Sequence, residues 1–197
     1  MRKFLLITMM VSVVLTACKK PENAKPAAGS LPENNITKPS PQKTEAEGVT
    51  PATSTGTSVG SMMPAYKVDL LDGKTFDVNA ERGNVVFLNL WATWCGPCRF
   101  EIPELQKLHD EYAAKKFKVV GVSLDESGKD TVQQFVTEQK MTYPIALDPE
   151  GKLANIFQTT VIPTSVLIDR KGKIVWKRYG AVSVDSELKQ ALDEALK

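Results

Sequence analysis

The chain has 197 residues, 42% of them apolar and 24% charged, with 25 basic and 23 acidic side chains for a formal charge of +2. That balance is ordinary for a globular protein, and the lysines are scattered rather than gathered with aromatics into a basic stripe, so no nucleic-acid surface is expected. Three cysteines, Cys18, Cys95 and Cys98, are too few for the disulfide framework of a small secreted domain.

The first 18 residues read MRKFLLITMMVSVVLTAC. Arg2 and Lys3 make a short positive start, and Phe4 to Leu15 an apolar stretch. That stretch is too short to cross about 30 Å of hydrocarbon as a helix and fits the core of a secretory signal. Its end, Leu15-Thr16-Ala17-Cys18, looks like a lipobox. The likeness implies a signal peptide over 1–17, cleavage before Cys18, and a lipid on the Cys18 sulfur, which removes that thiol from redox chemistry. An ordinary signal peptide with an incidental cysteine is the other reading. Two or more acyl chains would anchor the protein firmly. The expected location is a bacterial membrane, facing the periplasm or the extracellular side. Lys19 does not signal inner-membrane retention.

Residues 18–61 are expected to be the lipidated cysteine and a disordered tether. From Lys19 to Ser61 there are six prolines and no aromatic residue. Such a segment buries too little apolar surface to offset its ordering entropy. As a flexible coil it would span about 35 Å.

Residues 62–197 are the length of one domain. Asp72-Gly73 between two extended-type runs predicts a β-hairpin. Val85 to Leu90, Lys118 to Leu124 and Ser165 to Ile168 are nearly continuous apolar runs, as strands covered on both faces require. Ile102, Leu105, Leu108 and Tyr112 repeat with helical spacing, as do Val132, Phe135 and Val136, and again Leu188, Ala191, Leu192 and Ala195. Ile174 to Tyr179 follows an Arg-Lys-Gly turn and predicts a strand paired with Ser165 to Ile168. Strand–helix alternation gives an α/β fold whose parallel centre becomes a mixed sheet through that last hairpin.

Trp94-Cys95-Gly96-Pro97-Cys98 joins the strand Val85 to Leu90 to the helix bearing Ile102 and Leu105. Cys95 therefore falls at a helix N-terminus, where free N–H groups and the helix dipole favour a thiolate. Pro97 is preset for the first helical turn. Cys98 lies one turn on and deeper. This arrangement predicts attack by Cys95 on a partner's disulfide, followed by attack of Cys98 on Cys95. A structural zinc site needs four ligands. The pair offers two thiols, and the lone His109, about three turns on, is read as a surface residue. No metal and no cofactor are expected.

The string FLNLWATWCGPCRFEIPEL, Phe87 to Leu105, resembles the thioredoxin superfamily, and within it the TlpA/ResA branch of membrane-tethered extracytoplasmic oxidoreductases. The resemblance runs from about Tyr66 to the last helix. It implies a thioredoxin-like three-layer fold with an added N-terminal β-hairpin, and a thiol:disulfide oxidoreductase activity. It implies that Pro103 kinks the active-site helix by removing a hydrogen bond. It also implies that Val161-Ile162-Pro163-Thr164 is the cis-proline loop, with Pro163 facing the disulfide and Ile162 offering backbone hydrogen bonds. Trp94, Gly96, Pro97, Ile162 and Pro163 are then the expected partner-binding set. Glu101 matches an acidic residue near the cysteines of the ResA-like branch. It reads either as proton acceptor for Cys98 or as a solvated helix glutamate. Thioredoxins carry a buried Asp where this chain has Asn89, which cannot titrate. Trp91 reads as core.

Among other functions on this fold, copper delivery uses a Cys-X-X-X-Cys spacing and a later His, and peroxidases a Thr-X-X-Cys signature, neither of which this chain has. Gly96-Pro97 is a generic dipeptide that leaves a role in cytochrome c maturation open and favours a reductant of protein disulfides. The partners implied are disulfide-bearing extracytoplasmic proteins and a membrane electron donor of the DsbD/CcdA type. The protein is expected to be a monomer.

Overall fold

The computed structural model describes residues 54–197. The expected signal peptide, the lipidated Cys18 and most of the expected tether lie outside the described residues.

The first element is a short antiparallel pair, β1 (Lys67–Asp69) with β2 (Thr75–Asp77). Asp72 closes its turn by accepting the Lys74 N–H at 3.0 Å, and Gly73 supplies the positive φ of 85° that the turn needs. The main sheet has five strands in the order β5-β4-β3-β6-β7. At its centre is β3 (Val85–Trp91), buried along its whole length. It runs parallel to β4 (Phe117–Ser123) and antiparallel to β6 (Thr164–Ile168). β5 (Ile145–Leu147) extends the parallel side, and β7 (Ile174–Tyr179) extends the antiparallel side. The sheet is mixed, as the sequence predicts.

Alternate residues of β3 feed two apolar layers. Val85, Phe87 and Trp91 face a cluster built from α1 (Gly96–Tyr112), α2 (Lys129–Glu138) and α4 (Ser186–Ala195), through Ile102, Leu105, Val132, Phe135, Leu188 and Leu192. Val86, Leu88 and Leu90 face a second cluster holding Tyr66, Val68 and Phe76 of the hairpin region and Leu153 and Phe157 of α3 (Lys152–Phe157). Each such side chain contributes roughly 1.5–3 kcal/mol through burial.

Gly121 of β4 lies opposite Asn89 of β3. A Cβ there would come within 2.9 Å of the Trp91 indole nitrogen, 3.0 Å of Ile145 Cδ1 and 3.1 Å of Tyr143 Cε2. Glycine is what lets these side chains meet over the strand.

The structure departs from the sequence reading in three places. Composition assigned residues 54–61 to the tether, yet they belong to the folded domain. Met62 pairs with Lys173, the Met62 N–H donates to the Ser54 carbonyl, and Gly60 and Ile174 bond through the edge of β7 at 2.8 Å. Backbone hydrogen bonds, rather than side-chain burial, hold this segment. The folded part therefore includes residues 54–61 as well as residues 62–197. Second, β5 and α3 are elements that the sequence pattern does not show. At the β5 edge, Leu71 donates to the Ile145 carbonyl at 2.7 Å and Leu70 pairs with Ala146. Third, His109 is half-buried rather than on the surface, with its ring 6.1 Å from that of Tyr143 in an edge arrangement.

Candidate active site

β3 ends at Trp91, and the chain turns through Ala92, Thr93 and Trp94 before α1 begins. The Cys95 N–H closes this turn on the Ala92 carbonyl at 3.1 Å. Cys95 is the N-cap of α1, in extended conformation, and its sulfur accepts the Cys98 N–H at 3.2 Å. One of the helix's free donors is thereby satisfied by the sulfur that must carry negative charge when reduced. Cys95 and Cys98 are joined as a disulfide with Cα atoms 5.3 Å apart. Cys98 is fully buried, while Cys95 is 4% exposed. Gly96 and Pro97, on the first turn, are exposed. Pro103 sits inside α1 and leaves one carbonyl of the helix without its usual donor.

Glu101 is not a solvated helix glutamate. It is one turn beyond Cys98 and only 1% exposed. Asn89 donates to its Oε1 at 2.7 Å, and the Val182 N–H donates to its Oε2 at 2.6 Å. Asn89 also donates to the Ser165 hydroxyl at 3.0 Å. Burial pushes the Glu101 carboxyl up to about 7, although the Val182 and Asn89 hydrogen bonds pull the other way. The group is therefore poised to take or give a proton near neutral pH.

The peptide between Ile162 and Pro163 is cis. Thr164 pairs with Leu90, so this peptide lies at the end of β3 from which the chain runs to Cys95. The Pro163 carbonyl accepts the Gly180 N–H at 2.8 Å. Ile162 packs partly against both apolar clusters. Trp94 stands 69% exposed, and Trp91 is in the core.

Several site residues escape sequence reasoning. Phe100 is 82% exposed on the outer face of α1, one turn beyond Gly96 and Pro97. Thr93 is gripped by Asp125 and Arg99. Asp125 does carry a signal: it stands two residues past the end of β4, a strand parallel to β3, so its position beside the Cys95 turn follows from the strand order.

Residues 58–192 match the Redoxin family. The chain is 32% identical over 139 residues to the thiol-disulfide oxidoreductase ResA of Bacillus thuringiensis subsp. konkukian, covering 71% of this chain and 77% of that protein. It is 33% identical over 131 residues to the sporulation thiol-disulfide oxidoreductase A of Bacillus subtilis, covering 66% of this chain and 78% of that one. Among solved structures it is similar to a putative thiol:disulfide interchange protein DsbE from Chlorobium tepidum. The TM-score there is 0.65 and the identity 32%, over 71% of this chain and 99% of the other. Sheet order, a cysteine pair capping α1, and these likenesses agree: the chain belongs to the Redoxin family, as a TlpA/ResA-like thiol:disulfide oxidoreductase of the thioredoxin superfamily.

Proposed function

We propose that this oxidoreductase works outside the cytoplasm as a reductant of protein disulfides, held to a bacterial membrane by a lipid on Cys18. One observation carries the chemistry: the Cys95 sulfur caps α1 while bonded to a buried Cys98. In the reduced protein, the Cys95 thiolate attacks one sulfur of a client disulfide. A mixed disulfide forms and the first client thiolate leaves, to be protonated by solvent. Glu101 takes the proton of the Cys98 thiol. The Cys98 sulfur then attacks Cys95, which expels the second client thiolate and closes the disulfide seen here. Two electrons pass to the client. A membrane dithiol donor of the DsbD/CcdA type restores them by the same exchange in reverse.

Trp94, Gly96, Pro97, Ile162 and Pro163 are the proposed client-facing set. Phe100 extends it along α1, since an exposed aromatic beside a reactive pair suits partner contact. The protein acts as a monomer, and clients in cytochrome c maturation fit the reading. The test is a trap. A Cys98→Ser variant in the native host accumulates a mixed disulfide through Cys95 with an extracytoplasmic protein, identified by mass spectrometry. Absence of any such adduct, with the variant present at normal level, overturns the proposal.

A further inference from the structure

Thr93 is the second residue of the turn that delivers Cys95, and every polar group it has is taken. Asp125 Oδ2 accepts its N–H at 3.0 Å, and Oδ1 accepts its hydroxyl at 2.6 Å. Arg99 donates to its carbonyl twice, from Nε at 3.0 Å and from an Nη at 2.8 Å. The two gripping side chains come from different elements. Asp125 follows β4, is 5% exposed, and is itself braced by the Ser123 hydroxyl at 2.8 Å. Arg99 is on the first turn of α1, four residues after Cys95, and its guanidinium lies 5.2 Å from the Phe135 ring centre. Phe135 in turn packs on Trp91 at 5.4 Å. The turn is thus tied at Thr93 to the segment after β4 and to α1, and through Arg99 it reaches α2. Hydrogen bonds with a charged partner are the strong ones.

We infer that the Asp125–Thr93–Arg99 clamp is a positioning device for Cys95 that matters chiefly in the reduced protein, where it raises the reduction potential. The reasoning is a comparison of two states. In the oxidised protein the covalent bond to Cys98 already holds the Cys95 sulfur at the end of α1. In the reduced protein that bond is gone, and the clamp on Thr93 is what keeps Cys95 in the conformation in which its sulfur accepts the Cys98 N–H. A restraint that is redundant in one state and needed in the other stabilises the second. Here it stabilises the dithiol, so it makes the two-electron reduction easier. Among the described residues neither clamp side chain hydrogen-bonds a cysteine; both act through Thr93.

This inference rests on Cys95 being the exchanging sulfur. The test equilibrates the folded protein with reduced and oxidised glutathione. Arg99→Met and Asp125→Asn are expected to move the equilibrium toward the disulfide by up to about tenfold, close to 30 mV. Arg99→Lys, which keeps the charge but loses the fork, falls between Met and wild type. Urea unfolding of both redox forms shows a larger loss in the reduced form. Wild-type equilibrium constants in the folded variants overturn the clamp, as does equal loss of stability in both forms. If Asp125→Asn does not fold, the exposed Arg99→Met alone decides. Failure of the wild-type protein to exchange with glutathione would instead sink the reading of Cys95 itself.

Discussion

Asn89 donates its side-chain amide to Glu101 at 2.7 Å, linking the centre of β3 to the second turn of α1 inside the core. The pair gives the site a buried carboxyl, one turn along α1 from the deeper cysteine, whose proton affinity burial raises.

Glu101 sets a pH dependence of rate. In its proposed role as proton acceptor for Cys98 it acts only when ionised, so the release of a mixed disulfide is expected to accelerate as pH rises through about 7. In Glu101→Gln that rise disappears, and the rate at pH 8 falls by about 10²-fold, within the usual range for a lost general base. Stopped-flow release of client thiol from pH 5 to 9 measures both.

The same group sets a pH dependence of stability. Its carboxyl binds a proton more tightly folded than unfolded, so its contribution is full below about pH 4.5 and is lost as pH rises through about 7. The loss is roughly 3 kcal/mol. Glu101→Gln flattens that slope. Urea midpoints at pH 5 and pH 8 reveal it, and parallel slopes for the two proteins contradict it.

Gly121→Ala places a methyl group against Trp91, Ile145 and Tyr143 at 2.9–3.1 Å. Backbone and rings must shift, and the expected cost is about 1–3 kcal/mol. The urea midpoint falls while the far-ultraviolet circular dichroism is kept.

Phe100→Ser removes an exposed aromatic that the core does not use. The fold keeps its stability within about 0.5 kcal/mol. The kcat/KM toward a protein disulfide drops several-fold further than that toward a small aromatic disulfide. Equal drops for both would remove Phe100 from the client face.

The redox pair is plain in the sequence because its parts are local. Trp94 to Cys98 sits between an apolar run and a helical repeat, and strand, turn and helix follow in order. Glu101 needs more. Its helix is visible, but its burial depends on Asn89, twelve residues back, and on Val182, far ahead in the chain. α3 has six residues between two left-handed caps, Gly151 and Gln158, and is too short to show a period. β5 has three residues just after Pro144. Residues 54–61 read as linker because Gly, Ser and Thr dominate them, whereas their conformation is held by main-chain bonds that carry no side-chain signature.

Residues 60–61 bond the outer side of β7, and residues 70–71 bond the outer side of β5. One continuous stretch of chain therefore occupies part of each free margin of the sheet. Exposed margins are where β proteins polymerise, by offering unpaired N–H and C=O groups to a neighbour. With both margins partly occupied, the sheet leaves less unpaired edge for another strand to join. A truncation that begins at residue 72 would uncover both margins at once and leave an intact disulfide on a domain prone to aggregate.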